Sequence, residues 1–302
     1  MAKQISGLFI VAQTPFTDDG ALDLDSIDTL CDFYFKHGAA GLTVLGVAGE
    51  AAKLSTEESI AVVRRYVAHA NGKPVIVGVS NSSVAQLATL TKEVMRVGAF
   101  GVMVAPPPGL KTEEDVLSYY AAVFKGIGDV PTVLQDFPFS TGVWMSVPTI
   151  ARLIDRHPQI QAIKEEDIPS AAKITKLRAV LSRHVPILTG NNGVYLPQEL
   201  SRGIEGPMAG FSYPEMLSGV HKLYSEGKVQ EAHDLFDLYL PLLTYENQSQ
   251  WGVAVRKEVL KRRGAIQSAA MRAPGPSLTP EDLKDIDLLV QRVEQAIARK
   301  EA

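Results

Sequence analysis

The sequence predicts one α/β fold, a TIM (β/α)8 barrel with a C-terminal helical extension, and three observations predict it. Short apolar runs alternate with longer amphipathic stretches through the first two thirds of the 302-residue chain. Eight such runs occur, mostly spaced about 25 to 33 residues apart, which is the length of a strand, a helix and two short loops in a parallel sheet. Helix-to-strand junctions repeat a glycine pattern at His37-Gly38-Ala39-Ala40-Gly41, Val97-Gly98-Ala99-Phe100-Gly101 and Arg202-Gly203-Ile204-Glu205-Gly206. In each, the first glycine suits the left-handed position that closes a helix, and the second permits close packing where the strand begins. Eight alternating units favour closure into a barrel, with an open doubly wound sheet as the alternative.

The strand candidates are 8–14, 41–46, 74–79, 101–106, 131–136, 160–164, 186–190 and 206–211. The first ends at Thr14-Pro15. The second runs into Gly46-Val47-Ala48-Gly49-Glu50, ahead of a helix whose start, Ser55-Thr56-Glu57-Glu58, has the spacing of a capping box. The third, fifth and seventh begin at Pro74, Pro131 and Pro186, where a missing amide does least harm. The fourth ends in Pro106-Pro107-Pro108, and the sixth closes on Lys164. After the eighth, 214–263 reads as two or three helices with apolar faces at Leu235, Leu238, Leu242 and Leu243, and at Val253, Val255, Val259 and Leu260. A break at Ala273-Pro274-Gly275-Pro276 precedes a capped final helix from Thr279-Pro280-Glu281-Asp282. The barrel is therefore expected over 1–213, and the last barrel helix with its extension over 214–302, as one structural unit.

Composition narrows the function. With 46% hydrophobic and 21% charged residues and a net charge of −4, the chain has a large core and no basic stripe for nucleic acid or a membrane surface. The start, Met1 to Gly7, lacks a signal-peptide pattern, and no apolar run is long enough to span a bilayer, so a cytoplasmic protein is expected. The single cysteine, Cys31, lies in an amphipathic helical pattern and reads as a small buried side chain. The six histidines are scattered without metal-ligand spacing, and no nucleotide-binding glycine loop is present. Small-molecule chemistry without a metal or cofactor is the expectation.

In such barrels the reacting groups gather at the carboxyl ends of the strands. Only one of those ends carries a lysine: Lys164, after the apolar run Pro158-Gln159-Ile160-Gln161-Ala162-Ile163 and before Glu165, Glu166 and Asp167. A strand that brings an ammonium out of a packed interior strips part of its water, which favours the free amine that attacks a carbonyl. A charged residue simply reaching solvent at a strand end is the other reading. Strand alternation places Glu166 on the side of Lys164 and Glu165 on the opposite side. The turn Gly46, Val47, Ala48 and Gly49 offers backbone amides to an anion such as a substrate carboxylate. Thr189, Gly190 and Asn191 after the seventh strand, and Ser212 after the eighth, complete the candidate binding residues.

Along nearly its whole length the chain resembles the dihydrodipicolinate synthase and N-acetylneuraminate lyase superfamily. The resemblance rests on Thr14-Pro15-Phe16, on Gly46-Val47-Ala48-Gly49-Glu50 in place of Gly-Thr-Thr-Gly-Glu, on Phe137-Pro138 with Thr141-Gly142, and on Ile163-Lys164-Glu165. It implies that Lys164 forms an imine with pyruvate or another 2-oxo acid, and that the chain is a homo-oligomer, a tetramer or a dimer, contacting a neighbour through residues 107–120. The departures are specific. The family's strand-five tyrosine position holds Gln135, its arginine position Ser140, the first threonine of its glycine turn is Val47, and its cross-subunit tyrosine falls at Pro108.

A narrower similarity links Leu134-Gln135-Asp136-Phe137-Pro138 and Leu240-Pro241-Leu242-Leu243-Thr244-Tyr245-Glu246-Asn247-Gln248 to the 2-keto-3-deoxy-sugar-acid dehydratases and lyases. A class I lyase acting on a 2-keto-3-deoxy sugar acid such as 2-keto-3-deoxy-arabonate is the leading expectation. Lys164, Gln135, Asp136 and Glu166 are its candidate catalytic residues, with Asp136 or Glu166 as base. Two alternatives stay open: a synthase condensing pyruvate with aspartate semialdehyde, and a non-catalytic barrel that binds 2-oxo acids.

Overall fold

A computed structural model describes residues 5–301 of the chain, so the first four residues of the N-terminal segment read above lie outside the described ones. Eight strands follow one another: β1 (Phe9–Val11), β2 (Gly41–Val44), β3 (Val75–Gly78), β4 (Gly101–Val104), β5 (Thr132–Asp136), β6 (Ile160–Glu165), β7 (Ile187–Thr189) and β8 (Gly206–Pro207). Between and after them run α1 (Leu24–Lys36), α2 (Thr56–His69), α3 (Val84–Arg96), α4 (Glu113–Ile127), α5 (Pro138–Thr141), α6 (Val147–Arg156), α7 (Ser170–Val180), α8 (Leu196–Leu200) and α9 (Pro214–Ser225). Three further helices, α10 (Val229–Glu246), α11 (Ser249–Arg262) and α12 (Pro280–Glu301), form the C-terminal extension.

The strands pair in parallel in the order of the sequence. Backbone bonds from Gly7 N to Glu205 O (2.9 Å) and from Val11 N to Ala209 O (3.0 Å) join the first edge to the last and close the barrel. The strands are short and buried on both faces, as parallel strands covered by helices must be. Phe9, Val11, Ile76, Met103, Val133, Ala162, Leu188 and Met208 fill the interior. A larger apolar layer, including Ile10, Leu42, Val44, Val77, Val104 and Ile163, lies between strands and helices.

The local signals act as expected. Gly38, Gly98 and Gly203 take φ of 90°, 101° and 79° at the helix ends, a conformation open to glycine at little cost. A Cβ on Gly41 or Gly101 would lie 2.8 Å from the Pro74 carbonyl or 2.5 Å from that of Pro131, so each strand starts against a neighbour's backbone. Pro74, Pro131 and Pro186 lend only their carbonyls, accepting from Leu42, Val102 and Ile163 at 3.0, 2.9 and 2.8 Å. Ser55 and Glu58 form the capping box of α2, and Thr279 with Asp282 caps α12. Cys31 is buried in α1, and burial pushes its thiol up to about 12.

Two expectations need correction. The eighth strand is regular only over Gly206–Pro207, and beyond it the edge is held by single bonds, Met208 N to Thr189 O at 2.8 Å and Val11 N to Ala209 O at 3.0 Å. Residues 107–120, expected to project from the barrel mouth, do not do so as one segment: 113–120 is the first half of barrel helix α4, with Tyr119 and Tyr120 buried against the chain's own strands. Their hydroxyls donate to Asn81 O and Val104 O, at 3.3 and 3.1 Å.

Candidate active site

The position of the lysine depends on one irregularity in β6. Pairing between β5 and β6 shifts after Thr132, which faces Ile160, so that Val133 faces Ala162, and Gln161 is left exposed between. This bulge resets the alternation. Ala162 then points into the barrel with Val133, and two residues on Lys164 points the same way, opposite Gln135 in the register. Lys164 is 5% exposed at the mouth, above the apolar interior layer.

Glu166 continues the same parity and meets it there. Its Oε2 lies 3.2 Å from Lys164 Nζ and accepts from Gln135 Nε2 at 2.7 Å. The Asn191 amide donates to Oε1 at 3.4 Å, and Asn191 Nδ2 donates to the Glu166 carbonyl at 3.3 Å. Gly190 leaves room for this carboxylate: a Cβ at 190 would sit 2.1 Å from Glu166 Oε1. An amine, a carboxylate and a primary amide thus share one buried corner, the residue types needed for carbinolamine formation and proton transfer at carbon.

The turn after β2 overhangs the same interior. Val47–Gly49 forms a single 3-10 turn whose Gly49 and Glu50 amides bond back to Gly46 O and Val47 O, both at 3.0 Å. The first amides of such a turn, at Val47 and Ala48, have no partner within it and suit an anion. Ala48 packs on the interior layer, and the Val47 side chain is exposed. Thr14 Oγ1 donates to Gly49 O at 2.7 Å.

Glu50 anchors this turn in a way the local sequence does not disclose. It has φ of 54° and is buried, and its carboxylate accepts from Lys257 Nζ at 2.5 Å, Lys53 Nζ at 2.8 Å and the Arg272 amide at 3.1 Å. Burial brings the Lys257 ammonium down to about 8 against the opposing pull of Glu50. Lys257 and Arg272 also lie over the Phe16 ring, at 4.4 and 4.5 Å from its centre. The extension is therefore fastened to the turn after β2. The signal was a pair of charges, Arg256-Lys257, inside the valine-rich face of α11.

Three expected site residues are not brought to Lys164. Asp136 faces outward with Glu165, since neighbouring strand residues point to opposite sides, and its partner is Lys173 of α7. Thr189 also faces outward, opposite Glu165, and donates to the carboxylate of Glu199, which takes a second bond from Ser170 at 2.5 Å. Burial pushes Glu199 up to about 7, with the two hydroxyl donors opposing. Ser212 gives both its hydroxyl and its amide to Glu246, which is fully buried and paired with Arg256 Nε at 3.2 Å. Burial raises the Glu246 carboxyl above its usual range, against the pull of Arg256. Asn192 bonds the same corner of the extension, through Asn247 Oδ1 at 3.1 Å.

Comparison with known proteins places this geometry. Residues 4–293 match the model of the dihydrodipicolinate synthetase family. The chain is 30% identical over 302 residues to an L-2-keto-3-deoxyarabonate dehydratase of Azospirillum brasilense, covering 97% of this chain and 96% of the relative. It is 28% identical over 294 residues to a 4-hydroxy-tetrahydrodipicolinate synthase of Persephonella marina, covering 94% and 99%. The crystal structure of a dihydrodipicolinate synthase from Rhodopseudomonas palustris superposes with a TM-score of 0.94 at 43% identity, covering 97% of this chain and 99% of that one.

Proposed function

The chain belongs to the dihydrodipicolinate synthetase family of aldolases and dehydratases, and we propose that it is a class I lyase that dehydrates a 2-keto-3-deoxy sugar acid through an imine on Lys164. The observation that carries this reading is the buried contact of Glu166 with both Lys164 and Gln135, at 3.2 and 2.7 Å. The substrate carboxylate rests on the Gly46–Gly49 turn, and its C2 carbonyl faces the amine. Lys164 attacks C2, and loss of water leaves a protonated imine that acidifies the C3 hydrogens. Glu166 removes a C3 proton, the resulting enamine expels the C4 hydroxyl, and the proton held by Glu166 leaves with it as water. Hydrolysis of the imine then frees the product and the amine. Gln135 orients the departing hydroxyl and cannot itself supply a proton.

The Azospirillum brasilense relative supports this substrate class, since the similarity runs end to end. The synthase reading has its own support in the 43% identity to the Rhodopseudomonas palustris structure. Against it, Gln135, Val47 and Pro108 stand where the family's hydroxyl relay is expected. The same reading holds the protein to be a cytoplasmic homo-oligomer. Borohydride trapping with pyruvate and with 2-keto-3-deoxy sugar acids in parallel, followed by peptide mass mapping, tests it. An adduct on the Lys164 peptide, with turnover of the sugar acid and none of pyruvate plus aspartate semialdehyde, is the expected result. Absence of an adduct with any 2-oxo acid sinks the imine mechanism and favours a non-catalytic binder.

A further inference from the structure

Directly behind the mouth, on the outer face of the same two strands, lies a second charged cluster. Asp136 and Glu165 are register partners on β5 and β6, and both are completely buried. Lys173 donates to Asp136, to Asp167 Oδ2 at 2.8 Å and to the Met145 carbonyl at 2.7 Å, which uses its three N–H groups. Glu165 Oε1 accepts from the Asp167 amide at 2.8 Å. The remaining oxygens, Asp136 Oδ1 and Glu165 Oε2, are buried and receive no donor. Leaving two carboxylate oxygens so placed is expensive. Two ionised carboxylates at one register position, with the Asp167 carboxylate beside them and Lys173 as the ammonium they share, would repel each other with no donor on those two oxygens to offset it.

We propose that Asp136 and Glu165 hold one proton between Asp136 Oδ1 and Glu165 Oε2, and that this acid–carboxylate pair positions Gln135 and Lys164, the preceding residue on each strand, to converge on Glu166. The positioning half rests on the proposed role of Lys164, whereas the shared proton does not. The groups facing the pair are the Lys173 ammonium of α7, the Asp167 carboxylate of the following loop and the Tyr120 hydroxyl of α4, which is engaged with Val104 O. Three carboxyl groups therefore face one ammonium. Burial pushes Asp136 up to about 6 and Glu165 well above its usual range, with Lys173 opposing in both. Burial alone would lower Lys173, but the charges of Asp136 and Glu165 outweigh it and hold it above its ordinary value. Losing the shared proton places a second negative charge across the strand pair and drives the two strand ends apart.

The test uses D136N, E165Q and D136A in the full chain. In the infrared spectrum at pH 7, wild type shows a protonated-carboxyl stretch that both D136N and E165Q lack, because each removes one holder of the same proton. The spectra are compared in an E199Q background, because Glu199 also holds a proton near neutral pH, and there a band that survives in either variant overturns the shared proton. For positioning, the rate of borohydride trapping with pyruvate is compared. D136N and E165Q, whose amides still donate to the remaining carboxylate, stay within about threefold of wild type, and D136A falls at least about tenfold, as a slightly misplaced nucleophile should. The ratio of wild-type to E165Q trapping also declines as pH rises, because only wild type has the proton to lose. A flat ratio, or amide variants as slow as D136A, overturns the positioning role, and the ratio decides even if D136A does not fold. If no form is trapped by pyruvate, the Lys164 reading and the positioning half fail together, while the infrared band still decides the pair.

Discussion

Substitution of Glu166 by glutamine separates imine formation from proton transfer. The carboxylate is buried, 3.2 Å from Lys164 Nζ and 2.7 Å from Gln135 Nε2, in space that Gly190 leaves open by lacking a side chain. Glutamine keeps the size and one acceptor oxygen but cannot take a proton from C3 or return one to the C4 hydroxyl. General acid–base catalysis of this kind contributes about 10²- to 10⁴-fold. At about 1.36 kcal/mol per decade, E166Q should raise the dehydration barrier by roughly 3 to 5 kcal/mol. The assay is the rate of 2-oxo product formation from a 2-keto-3-deoxy sugar acid, run beside borohydride trapping of the same substrate. Dehydration should fall by that factor while the Lys164 adduct still forms, because the nucleophile that attacks the C2 carbonyl is the amine itself. Dehydration within about tenfold of wild type would refute Glu166 as the base.

Three other outcomes follow from the same structure. Gly190→Ala puts a methyl group 2.1 Å from Glu166 Oε1 and must displace the carboxylate, so kcat should drop about tenfold or more with a cooperative melt retained, as calorimetry would show. Lys257→Met leaves the buried Glu50 carboxylate without its 2.5 Å ion-pair partner and should reduce stability by about 3 to 5 kcal/mol in urea unfolding; a loss below about 1 kcal/mol would mean that Lys53 and the Arg272 amide suffice. Glu199 has its folded-state value raised to about 7, so its stabilising contribution is present below the ordinary carboxylate range and is lost as pH rises through about 7. The melting temperature of wild type relative to E199Q should therefore fall between pH 5 and pH 8, and a difference that does not change with pH would count against a neutral Glu199.

What the sequence discloses here depends on how local the physics is. The junctions at Gly38, Gly98 and Gly203 and the strand starts after Pro74, Pro131 and Pro186 are backbone effects confined to a few residues, and all are realised. Lys164 was legible because an amine on an apolar strand is rare company. Glu50 and Lys257 meet across 207 positions of sequence, and no local pattern joins them. Nor could helical periodicity tell that Tyr119 and Tyr120 turn inward onto the barrel rather than outward to a neighbour.

Strand parity decides which of these side chains share a face. Applied along β6 it puts Lys164 and Glu166 together and sets Glu165 apart, as found. Applied across the pairing to β5, it also puts Gln135 with Lys164 and sends Asp136 to the side of Glu165, and applied to β7 it sends Thr189 outward to Glu199. A place at a strand end does not by itself tell which face a residue occupies. The bulge at Gln161 makes the parity of β6 unreadable from the strand start, because counting inward from Ile160 without it would place Lys164 on the helix side. The proposed chemistry is a division of labour between faces: one carboxylate beside the amine to exchange protons with substrate, and a sealed carboxyl pair behind it. A substitution that let β6 pair with β5 without the bulge would shift its register by one residue, exchange the two sets and should abolish imine trapping outright, even with every site residue still present.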